Sequence, residues 1–305
     1  MLKSVIMIMP CVFCQSQKTK FLGNLPFSKL KEIWLYAGLN IEKYFNEIDF
    51  SLNECDDCGI SFFLPVKEGS SQFYSFLSRK NYYWFSWDYK EILKHVLNYN
   101  IKSILDYGCG PGLFLKKLPK DILKTGIDFN TKEIGEKNLK IIKSGLLDFS
   151  MKEKFDAITC VQVLEHLREP AKHIEKILGL LDNNGFLFIS VPNREGVLSR
   201  IENRGKPLDF PPHHLTRWSK KTLEKIAEIY NLKIISIIEE PLSYIHFKWS
   251  RQAPISVKYL GRDAKNLFLR RALLLKEEII CPFLFLKVKK EIKGHSILAI
   301  YQKNG

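Results

Sequence analysis

The chain has 305 residues, 46% of them hydrophobic and 26% charged, which excludes a disordered or collagen-like polymer and fits one large or two modest globular domains. Lys and Arg number 47 against 33 Asp and Glu, a formal net charge of +14 that favours anionic partners without choosing among phosphorylated ligands, nucleic acid and a membrane surface. No apolar run reaches the roughly 20 residues of a bilayer span, and Met1 to Met9 lacks the apolar core and cleavage site of a signal peptide, so a cytoplasmic protein with reduced cysteines is expected.

Four of the seven cysteines form two Cys-x-x-Cys pairs, Cys11/Cys14 and Cys55/Cys58. Each turn puts two sulfurs on one side of a loop, and two such turns complete a tetrahedral four-sulfur shell for zinc. Gly59 suits the tight turn after the second pair, and the long gap between Cys14 and Cys55 leaves room for a hairpin or helix on the knuckle. Four unrelated thiols are the competing explanation. A redox pair fits less well, because neither pair opens a helix after a strand. Four Cys ligands leave no open position, so such a zinc would be structural.

Ile101 to Asp106 predicts a short buried strand ending in Asp106-Tyr107-Gly108-Cys109-Gly110-Pro111-Gly112, and Leu113 to Leu118 resumes with helical spacing. Glycines between a strand and a helix allow a tight turn and a close approach of ligand to backbone. Thr125 to Asp128 predicts a second strand closing on an acid, which can accept both hydroxyl protons of a ribose. A carboxylate before the first glycine would repel a pyrophosphate. It suits a cationic ligand such as S-adenosylmethionine, with its sulfonium and α-amino groups.

With these motifs the chain resembles the class I S-adenosylmethionine-dependent methyltransferases. Asp106 to Gly112 is similar to the first motif of that family and Asp128 to its ribose-binding acid. Phe155 to Cys160 resembles the fourth strand, Val163 to Leu167 the segment after it, and Asn184 to Asn193 the fifth strand with its exit loop. The resemblance runs from about Trp87 to the carboxyl end. It implies an α/β fold: a Rossmann-like, doubly wound, seven-stranded sheet with its last strand antiparallel, over residues 81–305, beside a small zinc-ribbon-like domain at 1–80. It also implies cofactor contacts at Asp106, Tyr107, Gly108, Cys109, Gly110, Gly112, Asp128, Phe129, Leu146, Leu147, Val161 and Gln162, with Asp148 close to the adenine. The cysteine pairs, followed by Ser61 to Pro65 and Asn81 to Phe85, narrow the likeness to sugar methyltransferases and enzymes of surface-polysaccharide assembly.

Ala171 to Leu181 predicts a helix that Asn183-Asn184-Gly185 ends. The polar stretch from Arg194 follows a strand, and 194–218 is expected to be a substrate lid. It ends in Pro211-Pro212-His213-His214, and Ser219 is expected to cap the next helix. His213 or His214 is a candidate general base for a hydroxyl acceptor, against the alternative that one packs and the other is solvated. His166 could also face substrate, or orient the loop with Glu165. Residues 249–293 are expected to be a basic, apolar insertion before a final strand at Ser296 to Tyr301. It could touch anionic lipid or a lipid-linked substrate, and a helix packed on the core is preferred.

Methyl transfer to an oxygen or carbon of a small molecule, a sugar or glycan precursor above all, is therefore expected, with S-adenosylmethionine and a structural zinc as cofactors. An RNA methyltransferase and a catalytically silent zinc-knuckle binding protein are the rivals.

Overall fold

The computed structural model describes residues 9–45, 47–78, 84–200, 207–258 and 264–305. In chain order the elements are strand β1 (Thr19–Leu25), helix α1 (Phe27–Tyr36), strands β2 (Phe50–Cys55) and β3 (Ser61–Leu64), and helices α2 (Ser71–Ser78) and α3 (Trp87–Asn98). Strands β4 (Ser103–Tyr107), β5 (Leu123–Asp128), β6 (Ile134–Glu136), β7 (Leu139–Lys143) and β8 (Phe155–Val161) follow. Helix α4 (Pro170–Leu180), strands β9 (Leu181–Pro192) and β10 (Thr216–Arg217), helix α5 (Lys220–Tyr230) and strand β11 (Leu232–Pro241) come next. Helices α6 (Tyr244–Lys258) and α7 (Ala264–Val288) and strand β12 (Lys293–Lys303) complete the chain.

The main sheet has the order β11-β12-β9-β8-β4-β5-β7-β6. Its centre is parallel: β4 pairs with β5 and β8, and β8 with β9. Central parallel strands are covered on both faces, which is why Ile104-Leu105 and Ala157 to Val161 are nearly unbroken apolar runs. Strand β12 is antiparallel to both neighbours, as expected. The eighth strand is the short β6, which folds back antiparallel on β7 and was not expected. The strand order reverses beside β4, so the carboxyl ends of β4, β5, β8 and β9 open a crevice for ligand.

Several local expectations change. Leu113 to Leu118 forms only a 3-10 turn at Leu115–Lys117, because Pro119 lacks an amide to continue a helix and the chain enters β5 at Leu123. Helix α4 stops at Leu180, before Asn183-Asn184-Gly185. Leu181 already pairs with Phe155, and Asn184 takes φ of 59° inside the strand's irregular start. Ser219 caps α5 through a bond from the Thr222 amide, as expected. Part of the expected lid, 201–206, lies outside the described residues. The rest is no open flap, since Val197, Leu198, Phe210, His213, His214 and Leu215 are all buried.

The amino-terminal segment is woven into the remainder. Strands β1, β2 and β3 form a second sheet whose fourth strand is β10, with Thr216 opposite Phe62 and Arg217 opposite Ser61. Phe13 packs on Trp218 with centroids 5.6 Å apart, and Trp34 donates to the Pro211 carbonyl at 2.7 Å. The expected boundary at residue 80 lies outside the described residues.

Between β11 and β12, α6 and α7 form a hairpin clamped by Arg251–Glu277 and Lys248–Glu278 ion pairs. Its base packs Phe247 and Phe285 against Val197 and Leu198. The expectation of a helix simply packed on the core fails for much of α7. Phe268 (76% exposed), Leu275, Ile279, Phe283 (68% exposed) and Leu286 face outward along one side. They recur at steps of about one or two helical turns, so they form a stripe. Among the described residues, no helix is long and apolar enough to cross a membrane.

Candidate active site

Asp106 lies fully buried one residue before the end of β4. Its Oδ1 accepts a 2.7 Å bond from the Thr159 hydroxyl of the neighbouring β8, and Oδ2 has no hydrogen-bond partner. Burial, only partly opposed by Thr159, pushes the carboxyl up to about 7. A buried carboxylate with a vacant oxygen calls for a cationic or amino-bearing donor, which S-adenosylmethionine supplies. The glycines then make room. Gly108 has φ of 88°, and a Cβ there would lie 2.4 Å from Val163; Gly112 has φ of 73°, and its Cβ would lie 2.3 Å from Ile141. An acid with an unused oxygen beside a bare loop fits the methyl donor.

Asp128 closes β5. Its Oδ2 accepts from the Gly110 amide at 3.0 Å and its Oδ1 from the Asn130 amide at 2.7 Å. The acid expected to bind ribose pins the glycine loop, a duty that sequence does not announce. Two other expected contacts can offer only main chain. The Tyr107 hydroxyl bonds His173 Nδ1 of α4 at 2.8 Å, and the Cys109 side chain is buried beneath the loop against Gly126. Phe129 and Leu147 are exposed, whereas Leu146 is half-buried. Asp148 is exposed and folds over Gly145. Val161 is buried, and Gln162, at φ of 55°, reaches toward Ser296 at 3.4 Å.

The three expected histidines converge. Ring centroids of His166 and His213 are 4.4 Å apart, of His166 and His214 5.0 Å, and of His213 and His214 4.6 Å. His166 Nδ1 bonds the His213 carbonyl at 2.7 Å, His213 Nδ1 bonds the Leu208 carbonyl at 2.7 Å, and His214 Nδ1 lies 3.2 Å from Asp209 Oδ1. Burial holds His166 down to about 3 and His213 well below the usual imidazole range. Burial thus lowers the basicity of two of the three candidate bases. The alternative of one packed and one solvated ring gives way to buried His213 and His214 beside a partly buried His166, all held by main chain and Asp209.

Glu165 and Tyr74 are the residues that sequence reasoning undervalued. Glu165 is buried with neither carboxylate oxygen hydrogen-bonded. Tyr74, from α2, stands edge-on to Phe129 at 5.6 Å and to His166 at 6.0 Å, so the amino-terminal segment supplies a wall of the site. The adjacency of Glu165 to His166 was a signal for the first, and nothing in the chain signals the second. A cavity of about 160 Å³ adjoins the cluster, lined by Leu52, Pro192, Asn193, Arg194, His214 and Arg217 among others.

The four cysteines gather in the core cluster that also holds Phe13 and Trp218. Sγ of Cys11 is 3.6 Å from that of Cys58, Sγ of Cys14 is 3.6 Å from that of Cys55, and all four lie within 4.8 Å of one another. A disulfide needs about 2.05 Å, whereas zinc at about 2.3 Å from each sulfur spaces them about 3.8 Å apart. The Phe13 and Cys14 amides point at Cys11 Sγ, which stabilises a thiolate. The donor set fits zinc.

A doubly wound sheet with a glycine loop after its first central strand and an acid closing the next defines an α/β methyltransferase. The chain belongs to the Methyltransferase domain family, which matches residues 78–237, just over half its length. It is 28% identical over 184 residues to a ubiquinone biosynthesis O-methyltransferase of Dechloromonas aromatica (strain RCB), covering 54% of this chain and 79% of that protein. It is 30% identical over 193 residues to the protein of the same name from Stutzerimonas stutzeri (strain A1501), covering 54% and 79%. Among solved structures, a SAM dependent methyltransferase from Archaeoglobus fulgidus aligns with TM-score 0.43 and 19% identity over 70% of this chain and 92% of that one. The protein is an S-adenosylmethionine-dependent methyltransferase. The sugar and polysaccharide likeness drawn from the cysteine pairs finds no support in these relatives, which are named for ubiquinone biosynthesis.

Proposed function

We propose that the chain transfers the methyl group of S-adenosylmethionine to a hydroxyl oxygen on a small aromatic acceptor. The edge-on contacts of Tyr74 with Phe129 and His166 carry this proposal. Such walls gain about 0.5–1.5 kcal/mol per aromatic pair with a planar ring, whereas a sugar would bring hydroxyls needing partners there. The names of the relatives, O-methyltransferases of ubiquinone biosynthesis, support an oxygen acceptor of this class.

Asp106 and the Gly108, Gly110 and Gly112 backbone would hold the amino-acid end of the donor, and Asp128 its ribose. Phe129, Leu146 and Leu147 would flank the adenine, with Val161 and Gln162 near the sulfonium. His166, His213 and His214 form the acceptor side, where the hydroxyl proton leaves. The sulfonium is already an activated leaving group, so in-line alignment is the main task of the protein. The four cysteines would hold a structural zinc. Incubation with labelled S-adenosylmethionine and a panel of catechols, nucleotide sugars and tRNA tests the acceptor. Label in a catechol is expected. Label in sugar or RNA alone would refute the aromatic acceptor, and label in none, with S-adenosylhomocysteine still bound, would favour the silent binding protein.

Catalysis would take place against an anionic bilayer, with α7 as the contact. Its outward stripe of Phe268, Leu275, Ile279, Phe283 and Leu286 is accompanied by Arg270, Arg271, Lys276 and Lys287, the composition of an interfacial helix. Co-sedimentation with phosphatidylglycerol vesicles is expected, with little binding to phosphatidylcholine. Phe268→Glu with Phe283→Glu should reduce the bound fraction at least tenfold. Equal binding of variant and parent, or a concentration-dependent dimer that alone hides the stripe, would overturn the bilayer as its occupant.

A further inference from the structure

The geometry points to a divalent transition-metal site built by His166, His213 and His214, with Glu165 beside two of them, distinct from the four-cysteine cluster. Candidate ligand nitrogens of the three histidines lie within 4.8 Å of one another. Main-chain carbonyls only accept hydrogen bonds, so the Nδ1 atoms of His166 and His213 must carry protons to bond the His213 and Leu208 carbonyls at 2.7 Å. In a neutral ring this makes Nε2 the lone-pair nitrogen. His214 has the same polarity, with Nδ1 against Asp209 Oδ1 at 3.2 Å. Metal-binding histidines are oriented in this way, the far nitrogen donating to a carbonyl or carboxylate.

Glu165 supplies the independent observation. Its Oε1 lies 3.5 Å from His166 Nε2 and 3.9 Å from His214 Nε2, and both carboxylate oxygens are buried without a hydrogen bond. A buried, unpaired carboxylate costs several kcal/mol, so its two oxygens call for a partner. A cation between these atoms resolves the arrangement. A tetrahedral ion about 2.1 Å from each donor holds them about 3.4 Å apart, close to the observed Glu165 separations. Imidazole nitrogens with one carboxylate select zinc, iron, cobalt or nickel over magnesium or calcium.

The location of the site gives it work, and this part rests on the O-methyl transfer proposed above. The His166 and His213 rings face Tyr74, at 6.0 and 6.1 Å, on the acceptor side. A cation there would bind the acceptor hydroxyl and make it a better nucleophile by lowering its pKa. The proton would pass to solvent, and the oxygen would form the new bond to the methyl carbon as the carbon–sulfur bond breaks. The neutral S-adenosylhomocysteine would then leave.

The test is cobalt(II) titration of the full chain with its cysteines loaded with zinc. One equivalent of cobalt is expected to bind, giving ligand-field bands without sulfur-to-cobalt charge transfer. His213→Ala with His214→Ala should abolish that equivalent. Glu165→Gln, which keeps the side-chain volume should the double variant not fold, should weaken it at least tenfold. S-adenosylhomocysteine affinity of the Gln variant should remain within about twofold of the parent. No cobalt uptake by the parent, uptake showing only sulfur charge transfer, or equal affinity in parent and Glu165→Gln would overturn the site. Failure of the parent to methylate any hydroxyl, with cobalt bound as expected, would instead refute only the acceptor assignment.

Discussion

Asp106→Asn should lower S-adenosylmethionine affinity roughly 10- to 100-fold, because a hydrogen bond to a charged group contributes about 1.5–3 kcal/mol. The variant also separates charge from shape. In the parent the carboxyl sits at about 7 because it is buried. Only its ionised form attracts the cationic donor, so parent affinity should fall as pH drops from 8 to 6, approaching tenfold per unit below 7, while the Asn variant stays flat. Unliganded stability should move the other way. The folded-state pKa is raised above the unfolded value near 3.9, so the folded protein holds more protons, and this group lowers stability as pH rises from about 4 to 7. The Asn variant lacks that contribution, and its unfolding midpoint should depend less on pH than that of the parent across this window. Calorimetry at pH 6, 7 and 8 and thermal unfolding at pH 4, 5.5 and 7 measure the two, and affinities of parent and variant that coincide at pH 8 would remove Asp106 from the donor site.

Withdrawal of zinc, by strong chelation or by Cys55→Ser, should lower the unfolding midpoint by about 10 °C or more, given the large share of folding free energy that structural zinc carries in small modules. The loss should reach the acceptor side of the site and largely spare the donor side. Strand β3 pairs with β10, Trp34 holds the Pro211 carbonyl, and Tyr74 lies against His166 and His213, whereas Asp106 and Asp128 are held by β8 and their own loops. Turnover should therefore fall more than tenfold while S-adenosylhomocysteine binding changes little. An unchanged midpoint with full turnover after complete removal of zinc would refute a structural metal at these cysteines.

The central sheet was legible because its signals are local. A buried parallel strand must be an unbroken apolar run, as at Ile104-Leu105 and Ala157 to Val161, and a ligand loop after it must be bare, as at Gly108 to Gly112. The paired cysteines were legible for the same reason, since a turn of fixed length sets the spacing of two sulfurs. Helical spacing misled at Leu113 to Leu118, where the short path into β5 and Pro119 outweighed periodicity. The preference for a packed helix failed in α7, where apolar side chains stand outward.

Sequence alone determined the class of the protein, the glycine loop flanked by two acids, and the four cysteines that gather, since each depends on chemistry within a few consecutive residues. Only the tertiary structure decided that His166, His213, His214 and Glu165 meet, that Tyr74 stands against His166 and His213, and that β10 ties the amino-terminal sheet to the loop bearing the histidines. Those contacts join segments far apart in the chain, and their protonation and donor geometry follow from burial, which no local pattern of residues encodes.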